Sequence, residues 1–221
     1  MELEHLIGRS DTLMREVFPG HFLHGAVVQP YLDLVGQARL AGFDLRLASG
    51  FRSFERQMEI WNSKALGQRP VYDDAGQVVD LEAMPDKDKV CTILRWSALP
   101  GASRHHWGTD VDVWDCSAVE SHYSLQLQTR EYRAGGPFFP LMSWLDKMML
   151  EDRTAFTRPY TEDRGGVAPE PWHLSYTPVA HNFEAVLTRD LLFDVLSETR
   201  IALKQALLEN FDEIYQRFVA L

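Results

Sequence analysis

Two short stretches concentrate the side chains that could do chemistry. In Ser103-Arg104-His105-His106-Trp107-Gly108-Thr109-Asp110-Val111-Asp112, the imidazole of His105 is followed seven residues on by the carboxylate of Asp112. Glu170-Pro171-Trp172-His173 adds a distant imidazole with a carboxylate three residues before it. Three nitrogen and oxygen ligands with one coordination position open is the composition of a catalytic zinc site. The remaining acid, Glu170, is then free to serve as a general base. The combination points to metal-assisted hydrolysis. The same residues also suit a surface His-His pair and a polar strand, and residue chemistry alone leaves both readings open.

A metal reading makes demands on the elements that carry these residues. Positions seven apart on a straight strand face opposite ways, so His105 and Asp112 need a bend between them, and Gly108 permits one. The alternation Asp110-Val111-Asp112-Val113-Trp114 predicts a strand with both acids on one face and both valines on the other. Glu170 and His173 flank a proline, which excludes a mid-helix setting. Upstream, Gln29-Pro30 through Leu40 reads as a helix with proline near its first turn, ended by Ala41-Gly42. Phe43-Asp44-Leu45-Arg46-Leu47 alternates as a strand, Ser49-Gly50 is a turn, and a second helix starts at Ser53. Residues 66–88 crowd Gly, Pro and Asp together, as in a polar surface loop or hairpin. Short helices are expected over 90–96 and 140–150, and helical apolar spacing runs from about 180 to 221. This is a mixed α+β pattern with few strands and no βαβ alternation.

Composition narrows the partners. The 221 residues carry a net charge of −10, which argues against nucleic acid or an anionic membrane as a partner. No stretch approaches the roughly 18 apolar residues of a membrane span. The start of the chain is acidic and lacks the apolar run of a secretory signal, so the expected location is cytoplasmic. Cys91 and Cys116 have no zinc-finger spacing and suit a reducing compartment. HExxH, GxSxG, a P-loop, GxGxxG and SxxK are all missing from the sequence.

One further block matters. Arg52, in Ser49-Gly50-Phe51-Arg52-Ser53, follows a strand end, with Gln57 one turn on. It is either an ordinary surface arginine or a fixed guanidinium beside developing negative charge. Taken with Ser-x-His-x-x-Gly-x-x-x-Asp and Glu-Pro-Trp-His, this block resembles the VanY-type zinc peptidases, the D-alanyl-D-alanine carboxypeptidase and LD-carboxypeptidase family with the LAS fold. The three blocks follow the family order and cover roughly residues 25–178.

The resemblance implies an α+β fold: a small, mainly antiparallel sheet carrying the zinc, wrapped by helices. The chain would then be one domain over 1–221, with a helical extension over about 180–221 that the resemblance does not explain. It implies Zn2+ on His105, Asp112 and His173. Glu170 would take a proton from the attacking water and return it to the leaving amine, and Arg52 would hold the oxyanion. Ser49, Gln57 and Ser103 would help bind the terminal carboxylate or backbone of the substrate, and Trp172 and Tyr176 would shape the pocket wall. Asp110 departs from the pattern, which has a small apolar residue there. It could orient a zinc histidine, pair with a substrate amine, or face solvent without a role.

The expected partner is a peptidoglycan peptide. Cytoplasmic residence favours LD-carboxypeptidase action on recycled tetrapeptides, with release of the terminal D-alanine. The alternatives are DD-carboxypeptidase or DD-dipeptidase action on D-Ala-D-Ala ends, or a zinc-fold binding module without catalysis.

Overall fold

A computed structural model describes residues 2–220. A single turn, α1 (Leu3–Leu6), precedes a hairpin of β1 (Met14–Phe18) and β2 (His21–His24). Then come α2 (Gly25–Leu40), β3 (Leu45–Ser49), α3 (Phe54–Ala65), α4 (Asp86–Leu94) and β4 (Asp110–Asp115). The chain continues through α5 (Thr129–Tyr132), α6 (Phe139–Leu150), β5 (Phe156–Thr157) and β6 (His173–Tyr176). It ends in α7 (Thr177–Glu184), α8 (Arg189–Glu198), α9 (Lys204–Glu209) and α10 (Phe211–Phe218).

The central sheet is antiparallel, in the order β3-β4-β6-β5. Its register places Ser49, Asp112 and His173 side by side across three strands. The expected alternation holds on β4. Val111 and Val113 are fully buried in an apolar cluster with Tyr31 and Leu34 of α2 and Leu141 and Leu145 of α6. Asp110 and Asp112 therefore emerge together on the opposite face.

Local chemistry explains where elements differ from the sequence reading. Helix α2 starts at Gly25, before Gln29, because the His24 ring accepts the Ala26 N–H as a cap; Pro30 thus lies beyond the first turn. Ser53 caps α3 as its residue type suggests, accepting from Arg56 N. Helix α4 begins at Asp86, not Val90, with Asp86 and Asp88 in its first turn where the helix dipole favours acids. The polar stretch before it folds as a small hairpin closed by an antiparallel bridge between Tyr72 and Val78.

The hairpin of β1 and β2 has no clear alternation in the sequence, yet it braces the site. Phe22 O accepts from Phe51 N at 2.8 Å, and Gly108 O accepts from His24 N at 2.9 Å. One short strand thus ties down both the turn before Arg52 and the turn after His105.

The C-terminal helices belong to the same body. A second apolar cluster joins Phe54 and Trp61 of α3 and Val90 and Ile93 of α4 to Leu192, Leu207, Phe211 and Ile214. Trp61 Nε1 donates to Ala202 O at 3.0 Å, and Ala202 N donates to the Asn62 side chain at 2.9 Å. Leu207 is fully buried. Leu207→Ala is expected to destabilise the whole chain by about 2–5 kcal/mol in denaturant unfolding, through lost transfer energy and a residual cavity. A change below about 0.5 kcal/mol, the range of surface substitutions, would show that the extension folds apart from the sheet.

Candidate metal centre and active-site cleft

His105 sits in a tight helical turn, Arg104–Trp107, that ends at Gly108 in the left-handed region (φ 65°). A Cβ at Gly108 would lie 2.4 Å from Met14 Sδ and 2.6 Å from His24 N, so only glycine lets the turn pass under the hairpin. The bend brings His105 back over β4. Its Nε2 lies 3.3 Å from Asp112 Oδ2, and His173 Nδ1 lies 3.1 Å from Asp112 Oδ1. One potential ligand atom from each of the three residues falls within 4.8 Å of the others, and all three residues are buried.

Both rings present the correct nitrogen. His105 Nδ1 donates to Gly50 O at 2.9 Å, which leaves the Nε2 lone pair facing Asp112. His173 Nε2 donates to Asp110 Oδ2 at 2.8 Å, which leaves Nδ1 facing the cleft. Asp112 Oδ1 is buried without a hydrogen-bond donor of adequate geometry. The Asp112 carboxylate, with Oδ2 turned to the His105 ring and Oδ1 to the His173 ring, makes a donor set that fits a divalent cation. The proton affinities agree: burial disfavours a charged His173, yet its bonds to Asp110 and Asp112 outweigh that and lift its pKa to about 10. Two adjoining carboxylates thus attract positive charge to this point.

Asp110 does not face the cleft. It is fully buried behind His173 and accepts four bonds: from Arg104 Nε (2.6 Å), His173 Nε2 (2.8 Å), Thr109 Oγ1 (2.7 Å) and Ser175 Oγ (2.9 Å). Of the three readings left open by its residue type, orientation of a ligand histidine is the one the geometry supports. Asp110 is corrected from a substrate contact, because no lone pair and no exposed surface remain for a substrate amine. Arg104 also reaches Glu184 of α7 and Ser175 Oγ.

Arg52 is fixed at several points. Its Nη1 donates to Gln57 Oε1 at 3.0 Å and its Nη2 to Ser49 Oγ at 3.1 Å. Gln57 donates onward to Ala98 O at 2.7 Å. Backbone contacts lock the same residue: Arg52 N donates to His105 O, and Arg52 O accepts from His106 Nδ1 at 2.7 Å. His106 points away from the ligands, as expected of a ligand's neighbour. Ser49 and Gln57 therefore hold Arg52 rather than lining the cleft, which corrects their placement as direct substrate contacts.

Ser103 and Trp172 do line the cleft, a cavity of about 650 Å³. Trp172 stacks beside Trp96, with ring centroids 6.5 Å apart. Tyr176 does not reach it; its ring packs on Phe156 in the β5–β6 pair. The wall tyrosine is Tyr160, which stands edge-on to His173 at 5.1 Å and whose carbonyl accepts from Glu170 N. No motif in the sequence marks Tyr160. Glu170 Oε2 lies 3.6 Å from His173 Nδ1. Burial raises its pKa to about 7; Asp112 adds to the rise, while His173, Arg52 and Lys64 oppose it.

The cleft rim comes from two further segments. The Tyr72–Val78 hairpin supplies Asp73, Asp74 and Gly76, and α5 with the residues flanking it supplies Gln128, Arg130 and Arg133. Arg95 clamps the hairpin by bonding both Asp74 and Asp163. The polar stretch at 66–88 is thus part of the cleft wall.

Asp110→Asn is expected to weaken metal affinity by about 10–100-fold, the usual cost of losing a carboxylate behind a ligand histidine. Competition with a chromogenic chelator measures it. Unchanged affinity would mean that Asp110 serves the fold alone.

Comparisons with known proteins bear on the family and the fold. The family model for VanY, D-alanyl-D-alanine carboxypeptidase, matches residues 20–179. An uncharacterized protein of Haemophilus influenzae is 47% identical over 96 residues, 43% of this chain and 63% of that protein. A D-alanyl-D-alanine carboxypeptidase of Enterococcus faecalis is 30% identical over 157 residues, 69% of this chain. The matched region spans just under two thirds of the first relative and 47% of the second. Among solved structures, VanYB in complex with D-Alanine-D-Alanine shares the fold at TM-score 0.54 and 22% identity, covering 86% of this chain and 92% of that one. The LdcB LD-carboxypeptidase does so at TM-score 0.50 and 18% identity, covering 87% of this chain and 71% of that one. A match over residues 20–179, with the three ligand residues and Glu170 brought to one point, places this chain in the VanY D-alanyl-D-alanine carboxypeptidase family.

Proposed function

We propose that the protein is a zinc-dependent carboxypeptidase acting on peptidoglycan peptides. The observation that carries this reading is the convergence in one cleft of His105, Asp112 and His173, with Glu170 and Arg52 beside them. When bound on that trio, zinc supplies a Lewis acid that polarises the scissile carbonyl and acidifies water. Glu170, a buried carboxyl with its pKa near 7, is suited to take a proton at neutral pH and return it to the leaving amine. Arg52, held by Ser49 and Gln57, offers a positioned cation to the carbonyl oxygen as charge develops there. Trp172 and Tyr160 screen the ligand histidines from bulk water, which strengthens each of these interactions.

Within that class we favour LD-carboxypeptidase action, with release of D-alanine from a tetrapeptide. The catalytic set itself serves either stereochemistry. The cleft lining tilts the reading, because it carries Asp73 from the hairpin and Arg130 and Arg133 from around α5. A long zwitterionic residue of the diaminopimelate type, next to the scissile bond, has an ammonium and a carboxylate to meet them. The methyl of a penultimate D-Ala has neither. Mass spectrometry of free tetra- and pentapeptide digests decides the matter. The expected kcat/KM is at least about tenfold higher on tetrapeptide, equal to about 1.4 kcal/mol at the transition state. Faster cleavage of pentapeptide would replace this reading with DD-carboxypeptidase action. Asp110 has no part in the preference.

The compartment is also proposed: the cytoplasm, where such tetrapeptides arrive for recycling. Both cysteines are unpaired, which suits a reducing environment. Recovery of the native protein from the periplasm or medium would remove the recycling role.

The roles have their own test. Glu170→Gln is expected to keep stoichiometric zinc while kcat falls by about a hundredfold or more. Turnover near that of the parent enzyme would mean that another group moves the proton.

A further inference from the structure

Lys64 is a cleft cation that neither the catalytic scheme nor the reading of the rim charges uses. It projects from α3, seven positions beyond Gln57, onto the same wall as Arg52. Hydrogen bonds trace that wall: Arg52 to Gln57, Gln57 to Ala98 O, and Lys64 Nζ to the neighbouring Ser97 Oγ at 2.6 Å. That hydroxyl is a neutral partner. No carboxylate is within salt-bridge reach of Lys64 among the described residues, whereas Lys87, Lys89 and Lys147 each meet an acid at the surface. A desolvated ammonium without a counter-ion is costly. Its surroundings agree: burial, with Arg69 and Arg52 nearby, pulls its pKa down to about 8, and only Glu170 opposes them.

Such an arrangement persists where a ligand brings the missing charge. We propose that Lys64, steadied by Ser97, is the anchor for the terminal carboxylate of the substrate and so makes the enzyme an exopeptidase. The inference rests on the carboxypeptidase reading. In a substrate whose leaving group is a terminal amino acid, one carbon separates the scissile nitrogen from the carboxylate. That carboxylate must then lie close to the groups that handle the nitrogen. Lys64 meets this condition in that it lines the same cavity as Glu170 and Arg52. The residues expected from sequence to bind the carboxylate, Ser49 and Gln57, are occupied with Arg52. Ser103 lines the cleft but brings no charge. An ammonium on a flexible stem suits a single carboxylate whose position shifts as the leaving group departs.

The test compares a free tetrapeptide with its C-terminal carboxamide, by calorimetric titration of zinc-loaded Glu170→Gln protein, in which turnover is expected to be slowed about a hundredfold or more. The acid is expected to bind at least tenfold more tightly than the amide. Adding Lys64→Met should bring that ratio close to one, while adding Lys64→Arg should keep most of it. Loss of a merely structural lysine would weaken acid and amide alike and leave the ratio in place, which would overturn the proposal. Equal binding of acid and amide with Lys64 present would overturn it too, whether or not the Lys64→Met protein folds. Cleavage is read separately with Glu170 in place. Preference for the acid without cleavage of tetra- or pentapeptide would refute the hydrolase reading and leave the anchor standing. Cleavage without that preference would do the reverse.

Discussion

The carboxylate of Asp110 is the contact on which the site depends. It is buried, it carries a full charge, and it is stable there only because four donors surround it. Arg104 supplies the opposing charge, and burial of the pair costs less than burial of either group alone. The consequences spread in two directions. Toward the cleft, Asp110 holds the proton of His173 on Nε2 and turns Nδ1 toward Asp112. Away from it, Arg104 binds Glu184 and ties the sheet to α7. One ion pair thus sets the tautomer of a ligand and docks the first C-terminal helix.

Arg52 is constrained by a different logic. A guanidinium near a cation site would be repelled toward solvent unless its surroundings held it. Here each end of the residue is bonded to something that is itself fixed. Its side chain is held by Ser49, on the register line of Asp112 and His173, and by Gln57, whose amide is committed to Ala98 O. Its backbone is held by His105 O and by the ring of His106, which also accepts from Gly101 N. Burial pushes the pKa of His106 down to about 3, so it stays neutral and keeps one donor and one acceptor. The adjacent histidines divide the labour: His105 faces Asp112, and His106 secures the arginine opposite.

Much of this was legible in the residue types. Strand β4 showed its two faces through strict Asp-Val alternation, and Ser53 announced α3. For His105, Asp112, His173 and Glu170, residue chemistry leaves a surface His-His pair open, and the resemblance of three blocks to a known family tips the reading toward a metal. What stayed hidden depends on pairing across distance. The hairpin of β1 and β2 is short and charged, and it gains its place from backbone bonds to Phe51 and Gly108. Tyr160 carries no local pattern; only the fold brings it against His173. Ser49 and Gln57 were legible as important but not in their roles, since spacing cannot tell a residue that touches substrate from one that steadies Arg52. Lys64 stands in no motif, and only the fold brings it into the cleft.

The charge of the whole chain is a poor guide to that of its cleft. A net charge of −10 predicts a repulsive surface for an anionic peptide. The acids, however, are unevenly used. Asp74 and Asp163 share Arg95, and Asp110 and Glu184 share Arg104. Lys64, Arg130 and Arg133 line the cleft and pair with no carboxylate among the described residues. The cavity therefore carries these three cations without a direct ion-pair partner among the described residues, beside the carboxylates of Asp73, Asp112 and Glu170. A short peptide with few carboxylates gains by leaving the outer field for the inner one. A long polyanion such as a nucleic acid meets the outer field along its whole length.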